Sequence, residues 1–171
     1  TAHRQIALAQ DIIVDEVYKE FGKAVLHGGT AIWRCYTGKR FSEDLDFYLP
    51  KDKQKIQQMF KNIEKRGFAP IRKKISDTSV YSEFEIDRVR VRLEAVYKRV
   101  DSALVDYETA DGNRISVYSL LPEELINEKV EAYLKRCKIR DLYDIFFLIK
   151  LVKNLSSIKP AISKLIRTHK Q

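Results

Sequence analysis

The chain has 171 residues, 44% of them hydrophobic, and carries 32 Lys and Arg against 24 Asp and Glu for a net charge of +8. That length suits one catalytic domain with a helical extension and can bury a core unaided, while two distant cysteines, Cys35 and Cys137, exclude a disulfide scaffold and a zinc knuckle. No apolar run is long enough to span a bilayer and Thr1 does not open a signal peptide, so a cytoplasmic protein without membrane contact is expected.

Taken in chain order, residues 4–21 place Ile6, Ala9, Ile13, Val17 and Phe21 at helical spacing, and Gly22 ends that helix. The apolar run Ala24 to His27 reads as a strand that stops at Gly28-Gly29, and Thr30 to Tyr36 reads as the helix beyond the turn. A second strand covers 44–49. A basic helix over 52–65, closed by Gly67, precedes three strand-like runs at 69–75, 79–87 and 89–97. A hairpin turning at Asp111-Gly112-Asn113 follows. From Pro122 the pattern is helical, with breaks near Ile139 and Asn154 and with Pro160 early in the last helix; Phe146, Phe147, Leu148, Ile149 and Leu151 read as core. The fold class expected is α+β, a mixed sheet flanked by helices and followed by a C-terminal helical segment, divided as a core over 1–120 and helices over 121–171.

Charge is unevenly spread. Lys and Arg against Asp and Glu number 6 to 7 over residues 1–50, 9 to 2 over 51–74, 6 to 12 over 75–128 and 11 to 3 over 129–171. Two basic blocks around a more acidic middle suit a protein that holds a polyanion while keeping carboxylates for metal, although Lys-rich solvated helices give the same count.

Three local signals carry the chemistry. Gly28 and Gly29 between strand and helix let backbone approach a ligand, and Thr30 offers a hydroxyl and N–H groups to an anion; a structural helix start accounts for the same residues. Asp44 and Asp46 alternate with Leu45 and Phe47, so both acids project from one side of a strand. Like charges so close are unfavourable unless a cation lies between them, and oxygen donors suit Mg²⁺; pairing with Lys39 or Arg40 is the plainer account. On the run 88–97, Glu94 falls on the face shared by Arg88, Arg90 and Arg92, where it supplies a third acid or a cross-strand partner. In the helical part Lys129, Ala132 and Arg136 share one face and Asp141 and Asp144 another, an arrangement that ion pairs from Arg136 to Asp144 and from Arg140 to Asp141 also explain. The histidines, at 3, 27 and 169, are too scattered for zinc.

Gly29-Thr30, thirteen intervening residues, then Asp44-x-Asp46 with Arg40 and Ser42 just ahead of the acids, resembles the first motif of the DNA polymerase β-like nucleotidyltransferases. Lys129, Ala132, Arg136 and Arg140-Asp141-Leu142-Tyr143-Asp144 resemble the helical motifs of the AbiEii/AbiGii toxins, the nucleotidyltransferases of type IV toxin-antitoxin systems. The resemblance implies metal-binding acids at Asp44, Asp46 and Glu94, the last placed by strand count. It implies nucleotide contacts at Gly28, Gly29, Thr30, Arg40, Ser42 and Lys129, a catalytic role for Asp141, and support from Arg136, Arg140 and Asp144. It further implies Mg²⁺ or Mn²⁺ as cofactor, a nucleoside triphosphate as substrate and a cognate antitoxin. The acceptor expected is RNA, a tRNA 3′ end, held by the basic helices 52–66 and 129–171. A protein or small-molecule acceptor, or a non-catalytic nucleotide-binding role, are the alternatives.

Overall fold

The computed structural model describes residues 1–170, in two compact units that divide between Ser119 and Leu120. The first runs α1 (Ala2–Glu20), β1 (Val25–His27), α2 (Gly28–Cys35), β2 (Asp44–Leu49), α3 (Lys53–Lys65), β3 (Ala69–Ile75), β4 (Ser79–Ile86), β5 (Val89–Tyr97), β6 (Ala103–Glu108) and β7 (Arg114–Ser119). Its seven strands form one mixed sheet ordered β3-β4-β5-β2-β1-β7-β6, in which β2 runs parallel to β5 and β1 parallel to β7. The remaining neighbours are antiparallel. The expected α+β class with a mixed sheet is the one observed.

Strand alternation decides which face is covered. Leu45, Phe47 and Leu49 of β2, Val91, Leu93 and Ala95 of β5 and Phe84 of β4 are buried on one side. Helix α3 lays Ile56, Met59, Phe60 and Ile63 on that side, with Phe60 5.3 Å from Phe84, and α1 brings Tyr18 to 5.7 Å from Phe47. Helix α2 reaches the same side, where Arg34 lies 4.8 Å over the ring of buried Tyr107. The other side of β5, β2 and β1, called the open face below, carries Arg92, Glu94, Asp44, Asp46 and His27.

An ion pair between buried Arg34 and half-buried Asp11 ties the elements together. Arg34 pairs with Asp11 and donates to the carbonyl oxygen of Glu108 at 2.9 Å, while Asp11 also accepts from Tyr107 Oη and Ala110 N. Every polar atom of this carboxylate thus has a donor, which is what burial of a charge demands.

The second unit contains α4 (Pro122–Arg136), α5 (Ile139–Ile149), a short 3₁₀ turn (Leu155–Ser157) and α6 (Lys159–His169). Pro122 at the start of α4 and Pro160 at the start of α6 sit where a missing N–H costs nothing. One expectation fails here. Leu148 is buried, but Phe146 is 74% exposed and Ile149 and Leu151 lie at the surface. A run of consecutive apolar residues cannot face one way at 3.6 residues per turn, and α5 turns inward the stripe Asp141, Asp144, Ile145 and Leu148 instead. Among the described residues no helix is long and apolar enough to cross a membrane.

Candidate active site

The site is assembled where β1 gives way to α2 beside the start of β2. Gly28 adopts φ +73° and is the first residue of α2, so this helix begins two residues ahead of the expected start at Thr30, with His27 as its N-cap. Both glycines are needed for space. A Cβ on Gly28 would lie 2.5 Å from Asp46 Oδ2, and one on Gly29 would lie 2.6 Å from Arg40 Nη2 and 2.9 Å from Ser42 Oγ. The carboxylate of Asp46 therefore sits directly over the first turn of α2, and the Arg40 and Ser42 side chains over the next residue.

Thr30 is fully buried. Its hydroxyl donates to the carbonyl oxygen of Asp44 and lies 3.0 Å from Ser42 Oγ, so it clamps the helix to the start of β2 and faces inward. Gln10, also fully buried, reaches from α1 and donates through Nε2 to the carbonyl oxygens of Ser42 and Glu43 at 3.0 and 2.9 Å. Reasoning from sequence missed this residue, although an amide flanked by Ala9 and Ile13 on the apolar side of a helix is a visible signal.

Strand register then sets the acids. Across the parallel β2–β5 ladder Asp44 stands opposite Arg92 and Asp46 opposite Glu94, and across the antiparallel β1–β2 ladder Asp46 stands opposite His27. Residues in register point to the same side, so Asp44, Asp46, Glu94 and His27 share the open face. All four are half-buried. Asp44 Oδ2 is 3.4 Å from Arg92 Nη1, a partner on the neighbouring strand. Burial, then the charges of Asp46 and Asp44, hold the Glu94 carboxyl above its ordinary value, and Arg92 offsets them only in part. His27 stacks on Tyr48 at 3.8 Å with the rings nearly parallel.

Among the described residues no three His, Cys, Asp or Glu side chains form a finished metal cluster. The three acids stand side by side across adjacent strands, and their donor chemistry fits a hard divalent cation: carboxylate oxygens whose mutual repulsion such an ion relieves.

In the helical unit Lys129, Asp141 and Asp144 are all buried. Lys129 Nζ lies 3.0 Å from Asp144 Oδ2 and 3.6 Å from Asp141 Oδ1. Arg136 donates to Asp141 through both Nε and Nη2, at 2.8 and 2.6 Å, a two-pronged pairing. Burial raises the Asp141 pKa, but the Arg136 hydrogen bonds and the charges of Lys129, Arg136 and Arg140 outweigh it and hold the carboxyl below its ordinary value.

A family model described as nucleotidyl transferase AbiEii toxin, type IV toxin-antitoxin system, matches residues 12–171. The chain belongs to the AbiEii family. It is thereby one of a family of nucleotidyltransferase toxins, and its fold agrees. It is similar to JHP933 from Helicobacter pylori, with a TM-score of 0.60 and 23% identity over 84% of this chain and 66% of that one, so it spans just under two thirds of that protein's length. It is similar over 99% of its own length and 95% of the other's to the antibiotic-resistance factor ANT(2'')-Ia, with a TM-score of 0.62 and 14% identity. The Megavirus polyadenylate synthase matches 86% of this chain and 32% of its own, with a TM-score of 0.59 and 12% identity. At such identities the likeness is one of fold. No curated protein sequence matches the chain.

Proposed function

We propose that this AbiEii-family protein is a metal-dependent nucleotidyltransferase that moves a nucleoside monophosphate from a nucleoside triphosphate to the 3′ end of an RNA, with tRNA the expected acceptor. The observation that carries the reading is the placement of Asp46 on the open face, between Glu94 in register on β5 and the Gly28-Gly29 turn of α2.

Asp44, Asp46 and Glu94 would hold the divalent cation, Mg²⁺ or Mn²⁺, which when bound supplies positive charge to the phosphates and to the attacking oxygen. The residues of the chain do the positioning. The backbone of Gly28 and Gly29 lets the triphosphate approach closely, and Arg40 and Ser42, both packed over Gly29, offer donors to it. Thr30 and Gln10 fix the backbone from Ser42 to Asp44 and so hold the acids against that turn. The family resemblance gives Lys129 to the nucleotide phosphates and makes Asp141 and Asp144 the carboxylates that orient it. In the transfer, an acceptor 3′ oxygen bonds to the α-phosphorus and the bond from that phosphorus to the bridging α–β oxygen breaks. Pyrophosphate departs with that electron pair, and the hydroxyl proton passes to water.

The test is incubation with each α-labelled nucleoside triphosphate, Mg²⁺ and total RNA. Label in RNA with the wild-type chain, and none with a folded Asp46→Asn chain, is the expected result; equal labelling by both would end the assignment. A small-molecule acceptor is the second reading, favoured by similarity along the whole chain to an antibiotic-resistance factor. Label that stays in the small-molecule fraction and survives ribonuclease would select it. Expression of the wild-type chain should slow growth, with relief by a neighbouring antitoxin gene and none of the slowing from Asp46→Asn.

A further inference from the structure

The open face is ordered in rows. Glu94, Asp46 and His27 form one row across β5, β2 and β1, and the next, roughly 7 Å further along β2, is Val96, Tyr48 and Val25. Beyond the second row lies a cavity of about 550 Å³, lined by Val25, Tyr48 and Tyr118 together with Lys23, Lys98 and Arg99. No carboxylate lines it; Asp101, in the same loop as Arg99, is outside the lining. Among the described residues none of the three cations is paired with an acid. The Lys98 ammonium lies 5.6 Å over the Tyr48 ring, which also stacks on His27. Tyrosine faces beside unpaired cations suit a ligand with a flat ring and negative charge, which is a nucleotide unit.

Position decides between the two nucleotides of the reaction. The phosphate turn, with Arg40 and Ser42, lies at the Asp44 end of β2, whereas the cavity lies past Tyr48 at the opposite end. Attacking and leaving oxygens stand roughly in line in phosphoryl transfer, so an acceptor has to enter on the side of the carboxylates away from the triphosphate. We infer that this cavity is the acceptor subsite, seating the terminal nucleoside of a single-stranded RNA 3′ end with its base against Tyr118 and Tyr48 and its phosphates on Lys23, Lys98 and Arg99. The inference rests on the transferase reading and specifies where its acceptor binds.

The test separates the two. Binding of a short fluorescent single-stranded RNA with a free 3′ hydroxyl is followed by anisotropy in EDTA, where no transfer occurs. Lys98→Ala/Arg99→Ala should weaken it about tenfold and flatten the log Kd against log salt slope by about 1.4, the loss of two phosphate contacts on a single strand. Arg114→Ala, a cation on the surface of β7 paired with Asp106, should change it less than twofold. Tyr118→Leu should weaken binding about tenfold and Tyr118→Phe should restore it, which a merely structural ring would not require. Equal losses from the Arg114 and the Lys98/Arg99 variants would overturn the subsite, as would weakened triphosphate binding with RNA binding untouched. Wild-type RNA binding with the expected variant pattern, but no label transfer on adding Mg²⁺ and nucleotide, would uphold the subsite and sink the transferase reading instead.

Discussion

Asp46 and Glu94 stand opposite each other in the parallel β2–β5 ladder, two carboxylates on one face with Asp44 a residue pair away. Glu94 answers with a pKa above its ordinary 4.5, through burial first and then the charges of Asp46 and Asp44. For an acid whose folded-state pKa is raised, the stabilising contribution is complete below the unfolded value and lost as pH rises through the folded one. At neutral pH an ionised Glu94 therefore works against the fold. Glu94→Gln should raise Tm at pH 7 in EDTA, with the gain fading toward pH 4, and Mg²⁺ should raise the Tm of wild type more than that of the variant. Thermal melts across that range check both statements, and a lower Tm for the variant at pH 7 in EDTA would contradict the repulsion.

Gly28 meets two constraints at once, a φ of +73° and a carboxylate where its Cβ would be. Gly28→Ala should cost about 1–2 kcal/mol from the left-handed backbone alone, with a further loss as Asp46 is displaced. At about 2–4 °C per kcal/mol for a chain of this size, Tm should fall several degrees and transfer should be lost. Gly112→Ala is the control. Its φ is +82° but nothing lies within 4 Å, so it should show the backbone cost with transfer retained.

Much of this arrangement is legible in the residue order, and the reasons differ by element. Asp44-Leu45-Asp46-Phe47 states its own geometry, because period-two alternation fixes which side each chain takes. Glu94 was reachable only by counting along an alternating strand, and its register with Asp46 depends on a parallel pairing between strands about fifty residues apart, which no local pattern encodes. The Gly-Gly-Thr turn predicts a helix start at Thr30, whereas α2 starts at Gly28, and the Thr30 hydroxyl meets the backbone of Asp44, a long-range contact that no local pattern encodes. The Asp11–Arg34 pair left no signal, since each residue alone reads as surface charge. Phe146 and Ile149 misled in the opposite sense: composition marks them as core, and helical geometry puts them outside.

The two cysteines should be chemically distinct. Burial pushes the Cys35 thiol up to about 12, so almost no thiolate exists at neutral pH. Cys137 is exposed, at the left-handed C-cap of α4. One thiol should react with an alkylating reagent at pH 8 in native protein and two after denaturation. Peptide mapping should assign the fast one to Cys137, and rapid native labelling of Cys35 would contradict its burial.

Lys129 lies between two buried acids, 3.0 Å from Asp144 and 3.6 Å from Asp141, and Asp141 is also held by Arg136. Lys129→Ala should therefore cost about 3–5 kcal/mol, the usual result of removing one member of a buried ion-pair cluster. Removing one of the two negative charges as well should recover part of that, so Lys129→Ala/Asp144→Asn should be more stable than Lys129→Ala, a coupling read from denaturant midpoints at constant m. Asp141 adds a pH signature. Its folded-state pKa lies below the ordinary 3.8, so its contribution is present above that value and lost as pH falls through the folded one. Asp141→Asn should be less stable than wild type at pH 7, and the difference should narrow only below about pH 4. A difference that stayed constant through the acid limb would show that packing, and not the Arg136 and Lys129 charges, is what Asp141 contributes.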